Sequence, residues 1–133
     1  MNTILVDIVA LLALWNELDQ WHEAAEAAFA LAYHTHSPLI TTSCVLLECG
    51  NAVARKDYRD AVLYLRLRLQ KSSGLFEPLP EEIENAWEAF ERRDANSAGM
   101  VDLISFEVMR RLQITQALTN DDHFRAAGFE TLM

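Results

Sequence analysis

The chain has 133 residues, is 51% hydrophobic and carries a formal net charge of −9. That length and apolar content suit one domain, 1–133, with a real core. The charge argues against a simple basic coat for nucleic acid, although how charge is distributed decides more than its sum.

Thr3 to Val6 is short, apolar and rich in β-branched residues, as in a central parallel strand, and it ends in Asp7. Ala10 to Trp15 reads as a short helix. A second helix starts at Asp19 or Gln20 and runs in Ala-rich sequence to about Tyr33. His34 to Pro38 is a turn and Leu39 to Thr41 a second strand. Thr42 or Ser43 can cap the next helix, which carries Val45, Leu46, Glu48, Cys49 and Val53. From Tyr58 to Lys71 leucines alternate at strand period, but length and Leu/Arg content favour a helix. Ser72-Ser73-Gly74 stops it.

Leu75 to Leu79 is a short extended segment. Pro80 suits a helix start, and Glu81, Glu82 and Glu84 favour the N-terminal end of its dipole. Ile83, Ala86, Trp87 and Phe90 recur at helical spacing and read as core. Asp94 to Gly99 is a polar loop. Val101 to Leu112 is a helix ending in Arg110 and Arg111. Ile114 to Thr119 holds a strand, Asp121 to Ala126 a short helix stopped by Gly128, and Phe129 to Met133 a last edge strand. Strands alternating with helices predict a parallel three-layer α/β/α domain.

Cys44 and Cys49 form no CxxC pair or zinc ladder, and their spacing on one helix does not suit a disulfide. Buried thiols in a reducing cytoplasm are the simplest account. The opening apolar run, cut by Asp7, makes a poor signal peptide, and nothing approaches a membrane span. No GxGxxG, P-loop or GxSxG occurs. A phosphoacceptor receiver domain would ordinarily need a Lys near the last strand, and no Lys follows Lys71.

Asp7, Glu48, Asp102 and Asp121 stand out by position. Two follow predicted strands and two lie on otherwise apolar helices, so adjacent parallel strands would bring them to one sheet edge. Crowded carboxylates repel unless a cation neutralises them, and hard oxygen ligands suit Mg²⁺ or Mn²⁺. Such an ion lowers the pKa of bound water and stabilises charge on a phosphoryl group. Each acid also has a plain alternative: a helix cap for Asp102 or Asp121, an ion pair for Glu48. Basic residues are absent before Arg55. Arg55, Lys56, Arg59, Arg66, Arg68 and Lys71 then supply six of the eleven, and Arg55, Lys56 and Arg59 could guide phosphates toward the acids. Asn120 is a turn residue or a contact to metal-bound water, and His123, close to Asp121, is the one histidine of interest.

Val6-Asp7 before Ala10-Leu11, Glu48 in TTSCVLLECGNAVAR, VDLISFEVM around Asp102 and ALTNDDHFRAAGF around Asp121 together resemble a PIN domain of the VapC-type toxin ribonucleases. The resemblance covers the whole chain in order. It implies a central parallel sheet in the order 3-2-1-4-5, and Mg²⁺ or Mn²⁺ held by the acids matching Asp7, Glu48, Asp102 and Asp121. It further implies cleavage of single-stranded or loop RNA to leave a 5′-phosphate, a homodimer, and a cognate antitoxin inserted in the active-site groove. Two departures stand out. Ile8 and Val9 replace the polar residues usual after the first acid, and Gly99-Met100-Val101 lacks the hydroxyl usual before the third. They raise the alternative of a weakly active or inactive PIN-like module that binds RNA or protein.

Overall fold

A computed structural model describes residues 2–133. Five strands form one sheet: β1 (Ile4–Val6), β2 (Leu39–Thr42), β3 (Leu75–Phe76), β4 (Gln116–Leu118) and β5 (Glu130–Thr131). Their order is β3-β2-β1-β4-β5 and every pairing is parallel, with Ile4 opposite Leu39 on one side and Gln116 on the other. The helices are α1 (Ile8–Trp15), α2 (His22–His34), α3 (Ser43–Val53), α4 (Asp60–Ser72), α5 (Pro80–Glu91), α7 (Met100–Arg111) and α8 (Asp122–Ala126). A four-residue turn, α6 (Asp94–Ser97), precedes α7.

The central strand explains the two cores. Ile4, Leu5 and Val6 are all buried, because β1 has a neighbour on each side and helices on both faces. Ile4 and Val6 point into a cluster with Ala10, Leu11, Ala32, Val45 and Cys49. Leu5 points the other way, among Leu103, Phe106, Met109 and Phe124. The alternation is the period-two geometry of a strand.

Several boundaries move for local reasons. The first helix starts at Ile8, not Ala10, because the extended backbone of Asp7 serves directly as its N-cap residue. The second starts at His22, not at Asp19 or Gln20. Asp19 spends its side chain on the Trp21 N–H (2.8 Å) and its carbonyl on the His22 N–H (3.0 Å), which makes a turn before the helix. Thr42 caps α3 by accepting from the Val45 N–H at 3.2 Å. The segment Asp94 to Gly99 is more ordered than a polar loop. Arg93, Ala95, Asn96 and Ser97 all have φ between 53° and 61°, and carbonyls of Arg93 and Asp94 accept from the amides of Ser97 and Ala98. This is a left-handed turn built without glycine.

The larger correction concerns Trp87 and Phe90. Ala86 is buried and Ile83 packs on the core, but Trp87 is 52% exposed and Phe90 48%. They lie at the edge of the α5 face that meets α7, and their rings stack edge to face on each other, 5.9 Å apart.

Gly74 sits where β3 joins the sheet. A Cβ there would fall 2.8 Å from the Leu39 carbonyl oxygen, so only glycine lets the chain approach β2 this closely.

The α5–α7 pair is locked by charge as well as packing. Buried Glu82 accepts two hydrogen bonds from Arg111, at 2.9 and 3.0 Å, and one from the Leu79 N–H at 2.7 Å. Burial alone would push the Glu82 carboxyl up; these donors hold it below its ordinary range. Arg111→Ala would leave that carboxylate buried and short of partners. The expected loss is about 2 kcal/mol, below the range for a fully buried pair because solvent reaches Arg111. Urea denaturation, with Arg111→Lys recovering only part of the loss, checks this.

Candidate metal centre

In the strand order 3-2-1-4-5 the connections leave β1 toward one edge of the sheet and reach β4 toward the other. The gap between β1 and β4 at their C-terminal ends is the topological switch point, where open α/β sheets place their sites. Asp7 directly follows β1. Asp121 lies three residues beyond Leu118, the end of β4. Asp102 is in the first turn of α7, which runs antiparallel to the strands and so begins at the same edge. The fold thus brings Asp7, Asp102 and Asp121 together, with a carboxylate oxygen of each within 4.8 Å of the others.

Asp7 is the extreme member. It is 1% exposed, and its Oδ2 accepts from the Thr119 hydroxyl at 2.9 Å. Its Oδ1 has no hydrogen-bond partner among the described residues. Burial pushes the Asp7 carboxyl up to about 6, against the lowering effect of Thr119 and of the Ile8 and Val9 amides at the start of α1; Asp121 adds repulsion. Asp102 is pushed up to about 7, first by burial, then by repulsion from Asp7, Asp121 and Glu48, with His123 pulling slightly the other way.

Asp121 does two things at once. Its Oδ1 caps α8 by accepting from the His123 N–H at 2.9 Å, while its carboxylate remains within the cluster. Phe124 anchors that helix, fully buried and edge to face on Phe106 at 4.9 Å.

Glu48 does not join the three-acid group within 4.8 Å. It stands at the rim, part-buried, and its carboxyl is raised by desolvation and by the charge of Asp7. Behind it Cys49 is fully buried, its thiol pushed up to about 12 by burial and by Asp7 and Glu48, so it is packing and not a thiolate ligand. Arg55, Lys56 and Arg59 stay outside the cluster. They are exposed in the turn between α3 and α4, beyond the end of the helix that carries Glu48. Arg59 bonds the Ala54 carbonyl at 3.1 Å. Asn120 lies in the turn after β4, its carbonyl accepting from Arg125. The His123 ring meets the Ala95 carbonyl at 2.9 Å, tying α8 to the left-handed turn.

Thr119 is the site residue that sequence reading passed over. Its hydroxyl donates to Asp7 and accepts from the Asp121 N–H at 3.1 Å, so one buried side chain aligns two acids from distant parts of the chain. It provides a hydroxyl to Asp7 from just beyond β4, where Ile8 and Val9 provide none.

Three clustered carboxylates, one of them buried with an oxygen left unpaired and two half-buried, are a donor set for a hard divalent cation. The PIN domain family matches residues 4–130. The chain belongs to the PIN domain family. Among curated relatives, the 23S rRNA-specific endonuclease VapC20 of Mycobacterium tuberculosis, from strains CDC 1551/Oshkosh and ATCC 25618/H37Rv, is 34% identical over 128 residues, covering 95% of each chain. The crystal structure of M. tuberculosis VapC20, described there as a sarcin–ricin loop cleaving toxin, superposes with a TM-score of 0.80 at 30% identity and covers 96% of both chains. The three-layer architecture and strand order of this PIN domain are those expected from its sequence.

The charge crowding has a measurable consequence for the metal-free protein. Asp7 and Asp102 bind protons more tightly folded than unfolded, where the ordinary value is 3.8. The stability this gives is complete below that value and is lost as pH rises through about 6 and 7. Metal-free protein should therefore melt at a higher temperature at pH 5.5 than at pH 8. Asp102→Asn should flatten that dependence and raise the pH 8 melting temperature by roughly 5 °C. Calorimetric melts in chelator decide it; a wild-type stability that climbs between pH 5.5 and 8 contradicts the crowding.

Proposed function

We propose that this PIN domain is a divalent-metal-dependent endoribonuclease that hydrolyses RNA phosphodiester bonds, the toxin of a toxin–antitoxin pair. The observation that carries the reading is the meeting of Asp7, Asp102 and Asp121 at the switch point of the sheet. The relationship to a 23S rRNA-specific endonuclease over 95% of both chains supports it.

Asp7, Asp102 and Asp121 are the residues that would hold the ion, Mg²⁺ or Mn²⁺ by their hard oxygen chemistry. The bound ion supplies charge neutralisation for the scissile phosphate and a lowered pKa for water. The protein's own contributions are separate. Thr119 fixes the orientation of Asp7 and the position of Asp121. Glu48, part-buried with its carboxyl raised by desolvation and by Asp7, would exchange a proton with water in the groove. His123 braces α8 through Ala95, and Arg125 ties α8 to the Asn120 carbonyl in the turn that carries Asp121. Arg55, Lys56 and Arg59 offer a secondary phosphate track.

The same reading takes an antitoxin as protein partner, a homodimer as the assembly and the cytoplasm as the compartment. No described helix is long and apolar enough to cross a membrane. A sarcin–ricin-type RNA stem-loop is the first substrate to test.

Incubated with that RNA and Mn²⁺, wild-type protein should cleave, and excess EDTA should stop it. Asp7→Asn and Asp102→Asn should each lower the rate by more than about 100-fold, beyond the cost of losing an orienting neighbour. Glu48→Gln should retain metal binding while losing cleavage. Equal cleavage by wild type and Asp102→Asn would sink the assignment.

Thr119→Val tests the bridging hydroxyl separately. It should weaken Mn²⁺ binding by roughly 10–100-fold in calorimetry, with Thr119→Ser close to wild type. The alternative, a module without useful catalysis, draws on Ile8, Val9 and Val101. It requires that wild type fail to bind Mn²⁺ while still binding its protein partner.

A further inference from the structure

Trp87 and Phe90 are the unexpected feature of this surface. Both rings are about half exposed and stack edge to face on α5. They line a groove of about 700 Å³ with Glu91, Arg93, Ser97 and Ala98. Exposed tryptophan and phenylalanine side by side leave a large apolar area in water, which calls for an occupant.

Position selects the kind of occupant. Ala98 forms one wall, and Asp102 lies one helical turn further on, since Gly99 opens α7 and its carbonyl accepts from the Leu103 N–H at 3.0 Å. The turn that walls the groove is also tied through the Ala95 carbonyl to His123, two residues from Asp121 and close enough to lower the Asp102 carboxyl, so groove and acid cluster lie on the same edge of the sheet. The groove's other wall is this left-handed turn, held at its start and at its middle. Arg92 pairs with Asp94 at 2.8 Å, and the Ala95 carbonyl meets the His123 ring. Four non-glycine residues with positive φ hold this wall, a cost that persists where the surroundings enforce it, often at ligand clamps.

Chemistry narrows it further. Arg93 is exposed and makes no ion pair among the described residues, so it is free to meet a phosphate. Glu91 beside it limits the positive charge, which leaves the aromatic faces as the main source of affinity. Leu31, Leu47, Leu63 and Leu67 are exposed on α2, α3 and α4, with Tyr33 and Tyr64 among them, whereas the groove at the end of α5 is lined by aromatic rings and no leucine. Flat π-faces with one cation, next to a phosphodiester-cleaving centre, match a splayed-out nucleobase and its phosphate.

We propose that the groove between the end of α5 and the left-handed turn is a stacking subsite for an unpaired nucleobase flanking the scissile bond. The identity of the polymer as RNA rests on the ribonuclease reading above. Trp87 and Phe90 supply the stacking platform, and Arg93 supplies the contact to the adjoining phosphate. Because stacking dominates, binding at this subsite depends only weakly on salt.

The test uses the full chain carrying Asp102→Asn and a short fluorescein-labelled single-stranded RNA, read by anisotropy. Adding Trp87→Ala or Phe90→Ala should raise Kd by about 5- to 100-fold. Trp87→Leu, which keeps apolar bulk, should be as weak as Trp87→Ala, and Trp87→Tyr should recover most of the affinity. An unchanged Kd for Trp87→Ala overturns the subsite, as does full recovery by Trp87→Leu. So does an RNA that does not bind at all. A change in oligomeric mass accompanying the loss would make this face an interface between copies and also overturn it.

Parallel cleavage assays in Mn²⁺ with Asp102 intact separate the two proposals. Cleavage with a KM indifferent to Trp87→Ala removes the subsite and leaves the nuclease. RNA binding that needs Trp87, in a wild type that never cleaves, removes the nuclease and leaves the subsite.

Discussion

A carboxylate buried at the end of the central strand is the constraint on which the rest turns. Asp7 is almost wholly removed from water, yet only one of its oxygens has a partner. Desolvating a charge without full hydrogen bonding is among the most expensive things a fold can do. Here the cost is compounded, since Asp102 and Asp121 arrive at the same place. The protein tolerates it by shifting proton affinity: burial and mutual repulsion push the Asp7 and Asp102 carboxyls up to about 6 and about 7 from an ordinary 3.8. A cation would remove the repulsion and satisfy the orphaned oxygen together.

The frame around this pocket is correspondingly rigid. Each acid is delivered by an element whose own position is fixed by packing remote from the pocket. Asp7 ends a strand paired on both sides. Asp102 opens α7, held against α5 by the Glu82–Arg111 pair and by Leu103, Phe106 and Met109 in the core. Asp121 heads a helix of only five residues, too short to be stable alone, and Phe124 pins it beneath Phe106. Thr119 then couples the strand that carries one acid to the turn that carries another. Rigidity is what allows like charges to be kept close, because any slack would let them separate.

The three acids were legible in the sequence because topology converts chain position into spatial position. A residue after a parallel strand and a residue opening an antiparallel helix must share an edge, whatever the details of packing. Glu48 was less legible: its helix was clear, but how far the side chain reaches into the pocket depends on rotation about the helix axis. Thr119 was hidden because a hydroxyl at the end of an apolar run reads as an ordinary strand residue; only a partner 112 positions away gives it meaning. The exposure of Trp87 and Phe90 is not legible in the sequence, because helical period marks a face and says nothing about where that face ends. The left-handed turn had no signature, since its residues, Arg93, Ala95, Asn96 and Ser97, include none of the glycines that usually announce positive φ.

The acidic balance of the chain fits this picture better than it first suggests. A ribonuclease with a net charge of −9 gains little from general attraction to a polyanion, and much of its surface repels it. On the readings proposed above, affinity would come from a few local contacts: the acid cluster once a cation neutralises it, isolated arginines and exposed aromatic faces. Contacts of that kind reward bases that are unpaired and turned outward, and give little to a regular duplex whose bases are stacked inside. Low net attraction combined with the proposed stacking platform would disfavour indiscriminate degradation. It would favour action on particular loops, where RNA has already met the energetic cost of exposing its bases.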